Sequence, residues 1–232
     1  MNRIRTADEV KREYADAMGE PLGKQFHALW QEVAWLHVKW EEYLELFGTK
    51  PSRIELLNKA APRFFGIVQD LLWEETILHI ARLTDPAKSK KKKNRSNLTI
   101  YVLPDLIDDL DFRVSIEDAI TVAKDKTAFC RDWRNRRIAH RDLRLAIEEG
   151  AKPLPPTSRA DIRAAIASID AVLITMTRHY MDTETRFDIV KRAEGAEALL
   201  YVLDDGLRAD AEREDRIRRG EYLEEDIAIR DL

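Results

Sequence analysis

Phe26, Trp30, Val33, His37, Trp40, Leu44 and Phe47 recur at steps of four and three, which sets one apolar stripe along a helix of about 24 residues. A stripe that long cannot stay in water, so the chain is committed to packing long helices against one another. Gly48 supplies a stop. A second stripe, from Leu57 through Ala61, Phe64, Val68, Leu71, Glu75 and Leu78, starts near Ser52 and ends at Asp85 and Pro86, with Pro62 expected to kink or restart it. Ser115 and Asp118 resemble a helix-start signal, and Ile116, Ile120, Ala123, Thr127, Cys130, Arg134 and Ile138 continue one face of the helix it would open. A connector at 152–158 carries Pro153, Pro155 and Pro156, and Ser158 then precedes the stripe Ile162, Ile166, Ile169, Leu173, Met176 and Tyr180.

Eight glycines and eight prolines are about 7% of 232 residues, against a usual 12% or so, which argues against a turn-rich sandwich or barrel. No strand alternation or fixed-period repeat competes with the stripes. The expected fold is all-α: an up-and-down antiparallel helical bundle over residues 21–182, helices crossing near about 20°. Residues 1–20 form an N-terminal extension and 183–232 a charged helical extension or tail. Within that tail, 204–232 holds eleven acidic and six basic residues, so no core role is expected there.

The formal charge is −4, which excludes a globally cationic coat for nucleic acid while leaving room for a local basic patch. Cys130 is the only cysteine, so no intrachain disulfide and no multi-cysteine metal site can be built, and a reducing cytoplasm fits. The longest run without a charge is nine residues, Ser96 to Pro104, far below the roughly 20 a membrane-spanning helix requires. The eight glycines never fall closer than four apart, so neither a Rossmann fingerprint nor a P-loop exists. No histidine pair has metalloprotease spacing and no Gly-x-Ser-x-Gly elbow occurs, so no cofactor and no metal are expected.

One segment concentrates the chemistry. Residues 131–142 hold five arginines and one histidine in twelve positions. Arginine offers a planar, permanently charged fork for phosphate oxygens, and histidine gains or loses a proton near neutral pH. A ribonuclease without a metal must take the proton from a ribose 2′-hydroxyl, stabilise negative charge on phosphorus and protonate the leaving 5′-oxygen. His140 and Arg134 can fill two of those roles. On an ideal helix their six-residue separation turns them about 120° apart, so either the helix bends or a second copy of the chain completes the site. A composite dimer site is the expectation, because one histidine cannot easily serve as both base and acid. Trp133, Arg136, Arg137, His140 and Arg144 share a face instead.

Arg134 and Asn135, with five residues between the arginine and His140, resemble the motif of the HEPN superfamily, in which Arg, often followed by Asn, precedes His by four to six residues. The wider context resembles its abortive-infection AbiU-type branch: the stretch from Leu71 to Pro86, then Asn97, Leu98 and Thr99, then the block from Asp132 to Asp142, covering roughly residues 20 to 180. The resemblance implies a bundle that dimerises across the motif helix and cuts RNA without a metal, in phage defence or a toxin–antitoxin pair. By that implication Arg134 stabilises phosphate, Asn135 orders the site and His140 is the general base. RNA, a second copy of the chain and an antitoxin are the implied partners, with no membrane. Related toxins silenced by a nucleotidyltransferase carry Tyr two positions after the histidine. This chain has Asp142 there, so control by AMP transfer does not carry over.

Glu75 falls on an apolar stripe, where a carboxylate needs a cation; Arg134 from the facing helix is one candidate, and His79 or Arg82 on its own helix are others. Arg137 and Asp142 are further supporting candidates. The run Lys90 to Lys93 is either a solvated loop or a guide for RNA backbone. His37, the tryptophans at 30, 35, 40 and 73, and Cys130 read as core or contact residues. A competing function is a non-catalytic helical module that binds RNA, a nucleotide or a protein through the same Arg/His pocket.

Overall fold

A computed structural model describes residues 6–88, 96–147, 150, 152–184, 187 and 195–228. The fold is an all-α helical bundle, and among the described residues the only β pairing is an isolated bridge between Lys88 and Ser96. Its helices are α1 (Ala7–Met18), α2 (Glu20–Phe47), α3 (Pro51–Ala60), α4 (Pro62–Leu83), α5 (Leu110–Lys126), α6 (Ala128–Trp133), α7 (Leu143–Ala146), α8 (Arg159–Met181), α9 (Ala196–Arg219) and α10 (Glu224–Ile227). Two 3₁₀ turns, Ile100–Val102 and Pro104–Leu106, fill the stretch before α5. Contacts divide the chain into two compact units, Met1–Trp40 with Trp73–Val190 and Glu41–Leu72 with Lys191–Leu232, so the division falls within α2 and α4.

In the first unit α2 buries Phe26, Leu29, Val33, Leu36 and Trp40. The buried face is turned slightly from the sequence expectation, because Trp30 and His37 are only half-buried while Leu29 and Leu36 take the interior. α4 adds Ile77, Ile80 and Ala81, and α5 lies along α8, joining Ile116 and Ile120 to Ile162, Ile166, Ile169 and Leu173. Each such side chain, fully buried, stabilises the fold by about 1.5–3 kcal/mol. Within the N-terminal extension α1 is a true helix: the Thr6 side chain accepts from Glu9 N while the Glu9 carboxylate accepts from Thr6 N at 2.8 Å. That reciprocal cap was legible as Thr-x-x-Glu before Val10, Tyr14 and Met18.

Pro62 restarts the chain as expected: α3 ends at Ala60, and a proline opens α4, where its missing N–H costs nothing. The expected start at Ser115 is corrected. α5 begins five residues earlier, capped by the Asp109 carboxylate, which accepts from Asp111 N and Phe112 N, both at 3.0 Å. Ser115 is internal and turns its hydroxyl onto the Phe112 carbonyl at 2.7 Å. Ser158 does cap α8, with Asp161 returning the bond.

The second unit packs Leu46, Leu57 and Phe65 on Ala196 and Leu200. Glu42 caps α9, its carboxylate accepting from Ala196 N at 2.6 Å; a Cβ at Gly195 would sit 2.3 Å from that carboxylate, so glycine keeps the approach open. Past its buried anchors α9 is largely solvent-facing. Asp226 then pairs with Arg216, whose hydrogen bonds pull its carboxyl down to about 2.

Gly23 lets α2 lie close against α1: a Cβ there would lie 2.4 Å from the Tyr14 carbonyl oxygen and 2.5 Å from Ala15 Cα, atoms that cannot swing away. Gly23→Ala should therefore destabilise the protein by about 1–3 kcal/mol in urea unfolding. Gly66→Ala is the contrast. It sits exposed in α4 with nothing within 4 Å of a new Cβ, and should stabilise by about 0.5–1 kcal/mol.

Candidate functional site

The arginine-rich segment sits where helical geometry changes. α5 ends at Thr127, whose hydroxyl donates back to the Ala123 carbonyl at 2.8 Å, and α6 then buries Cys130 completely. Burial pushes the Cys130 thiol far above its ordinary range, which leaves it a small hydrophobe. After Trp133 the chain opens into one wide π turn, Arg134–Ile138, closed by Ala139 N donating to the Arg134 carbonyl at 2.8 Å. Such turns interrupt the i→i+4 ladder and concentrate at functional sites. His140 follows as the chain leaves the helix.

Arg134 is fixed from two sides. Its guanidinium pairs with Asp85 Oδ2, and its Nε donates to Asn135 Oδ1 at 3.0 Å. Both partners of the ion pair are about one-fifth exposed. Asp85 belongs to the turn after α4, and that turn is clamped. Arg131 donates to the Thr84 carbonyl at 2.9 Å, Asn97 Nδ2 to the Pro86 carbonyl at 2.9 Å, and Thr99 Oγ1 to the Leu83 carbonyl at 2.9 Å. Asp85 was not among the expected site residues, and 49 positions of separation gave no sequence signal for it. His140 differs in kind: it is exposed, and no described residue gives it a hydrogen bond or ion pair.

The other arginines are spoken for to different degrees. Arg137 donates Nε to Glu74 at 3.2 Å and lies 5.6 Å above the Trp133 ring. Arg136 stands 3.7 Å from both Asp132 and Asp142 and donates to the Lys152 carbonyl. Trp133 Nε1 donates to the Pro155 carbonyl at 3.0 Å, so the proline connector is tied to the motif twice. Asp142 caps the short α7, accepting from Leu145 N at 3.1 Å. Arg141 has no described partner. Among the described residues, Arg134, Arg136 and Arg137 thus meet carboxylates, Asp85, the pair Asp132 and Asp142, and Glu74, while Arg131 donates to carbonyls.

Glu75 does not meet Arg134. It accepts from Lys39 at 2.8 Å and Arg82 at 2.6 Å, because those cations flank it on α2 and two turns along α4. Burial alone would raise its carboxyl, but the bonds to Lys39 and Arg82 outweigh that and hold it below its usual range. Lys39 also reaches His79 Nδ1 at 3.4 Å, and His79 Nε2 lies 2.9 Å from Glu32, off the line of a good hydrogen bond. His37 is satisfied by Asp170 at 2.9 Å and stacks on Phe187. Trp40 is buried beside Trp73, whereas Trp35 is half exposed. The run Lys90–Lys93 lies outside the described residues. Among the described residues no three His, Cys, Asp or Glu side chains converge as a metal cage requires, and no helix is long and apolar enough to cross a membrane.

The chain belongs to the AbiU2 family of HEPN proteins, whose family model matches residues 19–199. No curated protein and no solved structure gives a match.

His79 carries a pH signature. Burial first, then the Lys39 ammonium, push its pKa below the ordinary 6.5, and burial pushes His27 the same way. Protonation is then harder in the folded chain than in the unfolded one. Stability is complete above 6.5 and falls as pH drops from there toward the depressed folded values. Urea midpoints should decline across that window, and His79→Gln should flatten the decline; an unchanged slope in the variant would contradict the assignment.

Proposed function

We propose that this protein is a metal-independent endoribonuclease acting through Arg134, Asn135 and His140, in a phage-defence or toxin–antitoxin setting and in the cytoplasm. The observation that carries the reading is the contrast between the two charged groups of the motif: Arg134 is held in place by Asp85 and Asn135, while the His140 imidazole is exposed and has no hydrogen-bond or ion-pair partner among the described residues. A held guanidinium suits charge that develops on phosphorus, and an unengaged imidazole is available to a substrate proton. His140 takes the 2′-hydroxyl proton, the 2′-oxygen attacks phosphorus, and a 2′,3′-cyclic phosphate forms as the 5′-oxygen leaves. That oxygen needs a proton, which the His140 of a second copy supplies in a homodimer. Residues 21–182 form the working domain and 183–232 the charged extension.

One observation favours the competing reading, a module that binds RNA, a nucleotide or a protein without turnover. Asp85 already neutralises Arg134, and an arginine serving only as an anchor would be held in the same way.

Labelled RNA incubated with the protein in EDTA should be cut. His140→Ala should slow cleavage by about 10²–10⁴-fold, the size of a lost proton-transfer group, at unchanged melting temperature, since that side chain is exposed. Arg134→Ala also strands Asp85 and should cost between the roughly 0–1 kcal/mol of an exposed pair and the roughly 3–5 of a broken buried one. The double variant Arg134→Ala/Asp85→Asn should regain part of that stability and remain inactive. Cleavage that survives His140→Ala rejects the assignment, and RNA binding without any cleavage selects the module.

A further inference from the structure

Beside the motif, a cleft of about 310 Å³ opens between the wide turn, α7 and the proline connector. Its lining is of two kinds. Arg136, Arg137 and Arg141 line it with cations, and Leu145, Pro153 and Leu154 add apolar surface. Asp142 also lines it, but that carboxylate is occupied with Leu145 N and lies near Arg136. The connector wall is anchored by the bonds from Trp133 to Pro155 and from Arg136 to Lys152, so the cleft is framed by the fold itself.

We propose that this cleft is a subsite for one nucleotide of an RNA strand, with a backbone phosphate on Arg141 and Arg137 and the base against Leu145, Pro153 and Leu154. The inference rests on the ribonuclease reading above and extends it to substrate placement. Arg141 is the arginine of the segment with no described partner, and Arg137 gives Glu74 only its Nε–H, leaving the outer edge of its fork for an anion. Arg141 also follows His140 directly in the chain, which joins the cleft to the motif segment. The volume falls at the lower end of the roughly 300–1,000 Å³ of small-molecule sites, enough for a nucleotide and too little for a helix or a folded partner. A purely polar cleft would suit a bare anion, whereas a lining that combines cations with apolar surface matches a base joined to a phosphate.

The test uses the full chain and a short, labelled RNA whose 2′-hydroxyls are methylated, so that it binds without being cut. Fluorescence anisotropy should show Arg141→Ala and Leu154→Asp each weakening binding by about tenfold, with Arg163→Ala on the exposed face of α8 unchanged. Arg141→Ala should also lower the salt slope by about 0.7, the loss of one single-strand phosphate contact. Should Leu154→Asp melt early, Leu154→Ala replaces it, with a smaller loss expected. Unchanged affinity in folded Arg141 and Leu154 variants overturns the subsite. So does wild-type protein that fails to bind, or polyglutamate displacing the RNA as well as unlabelled RNA does. Cleavage assays in parallel separate the two claims. Binding that depends on Arg141 and Leu154 without cleavage removes the nuclease and keeps the subsite, and cleavage with unaltered affinities does the reverse.

Discussion

A guanidinium four-fifths withdrawn from water must be matched by an anion, and in this protein the match between Arg134 and Asp85 organises the end of the bundle that carries the motif. The pair links the turn after α4 to the turn after α6, two places where helices stop and backbone groups are left over. Around it the leftover carbonyls are taken by side chains: Leu83 by Thr99, Thr84 by Arg131, Pro86 by Asn97. Thr99 and Thr84 are fully buried, so each unmade bond there would cost about 1–3 kcal/mol. Together these bonds fix where Arg134 points.

The charge of the segment is smaller than its composition implies. Five arginines in twelve residues read as a strong cationic surface, yet Arg134, Arg136 and Arg137 are each matched by carboxylates among the described residues. What remains is uneven. Arg131, Arg134 and Arg136 hold backbone and carboxylate groups of the fold, while Arg141 and the outer part of Arg137 face the cleft. A polyanion would meet a few placed cations and not a diffuse field, which makes geometry more important than net charge in its recognition.

Much of the fold was legible because helical periodicity is a local property. The stripes at Phe26–Phe47 and Ile162–Tyr180, the stop at Gly48, the break at Pro62 and the cap at Ser158 all follow from what neighbouring residues do to one another. The errors were also local. Ser115 looked like a cap, but the Asp109 carboxylate, two and three residues before free N–H groups, is the stronger acceptor. Of the partners expected for Glu75, Arg82 on its own helix does reach it and Arg134 does not, while Lys39 was not foreseen, since which cation is near depends on how α2 lies on α4.

The sequence by itself determined that this chain is an all-α bundle and that five arginines and one histidine are concentrated between Arg131 and Asp142, because side-chain period and residue type are written along the chain. Only the tertiary structure decided that Asp85 holds Arg134, that Glu74 takes Arg137, and that a proline connector closes a cleft against the arginines. Those choices join residues tens of positions apart. No local pattern encodes them, since they follow from which helix ends the packed core brings to the same place.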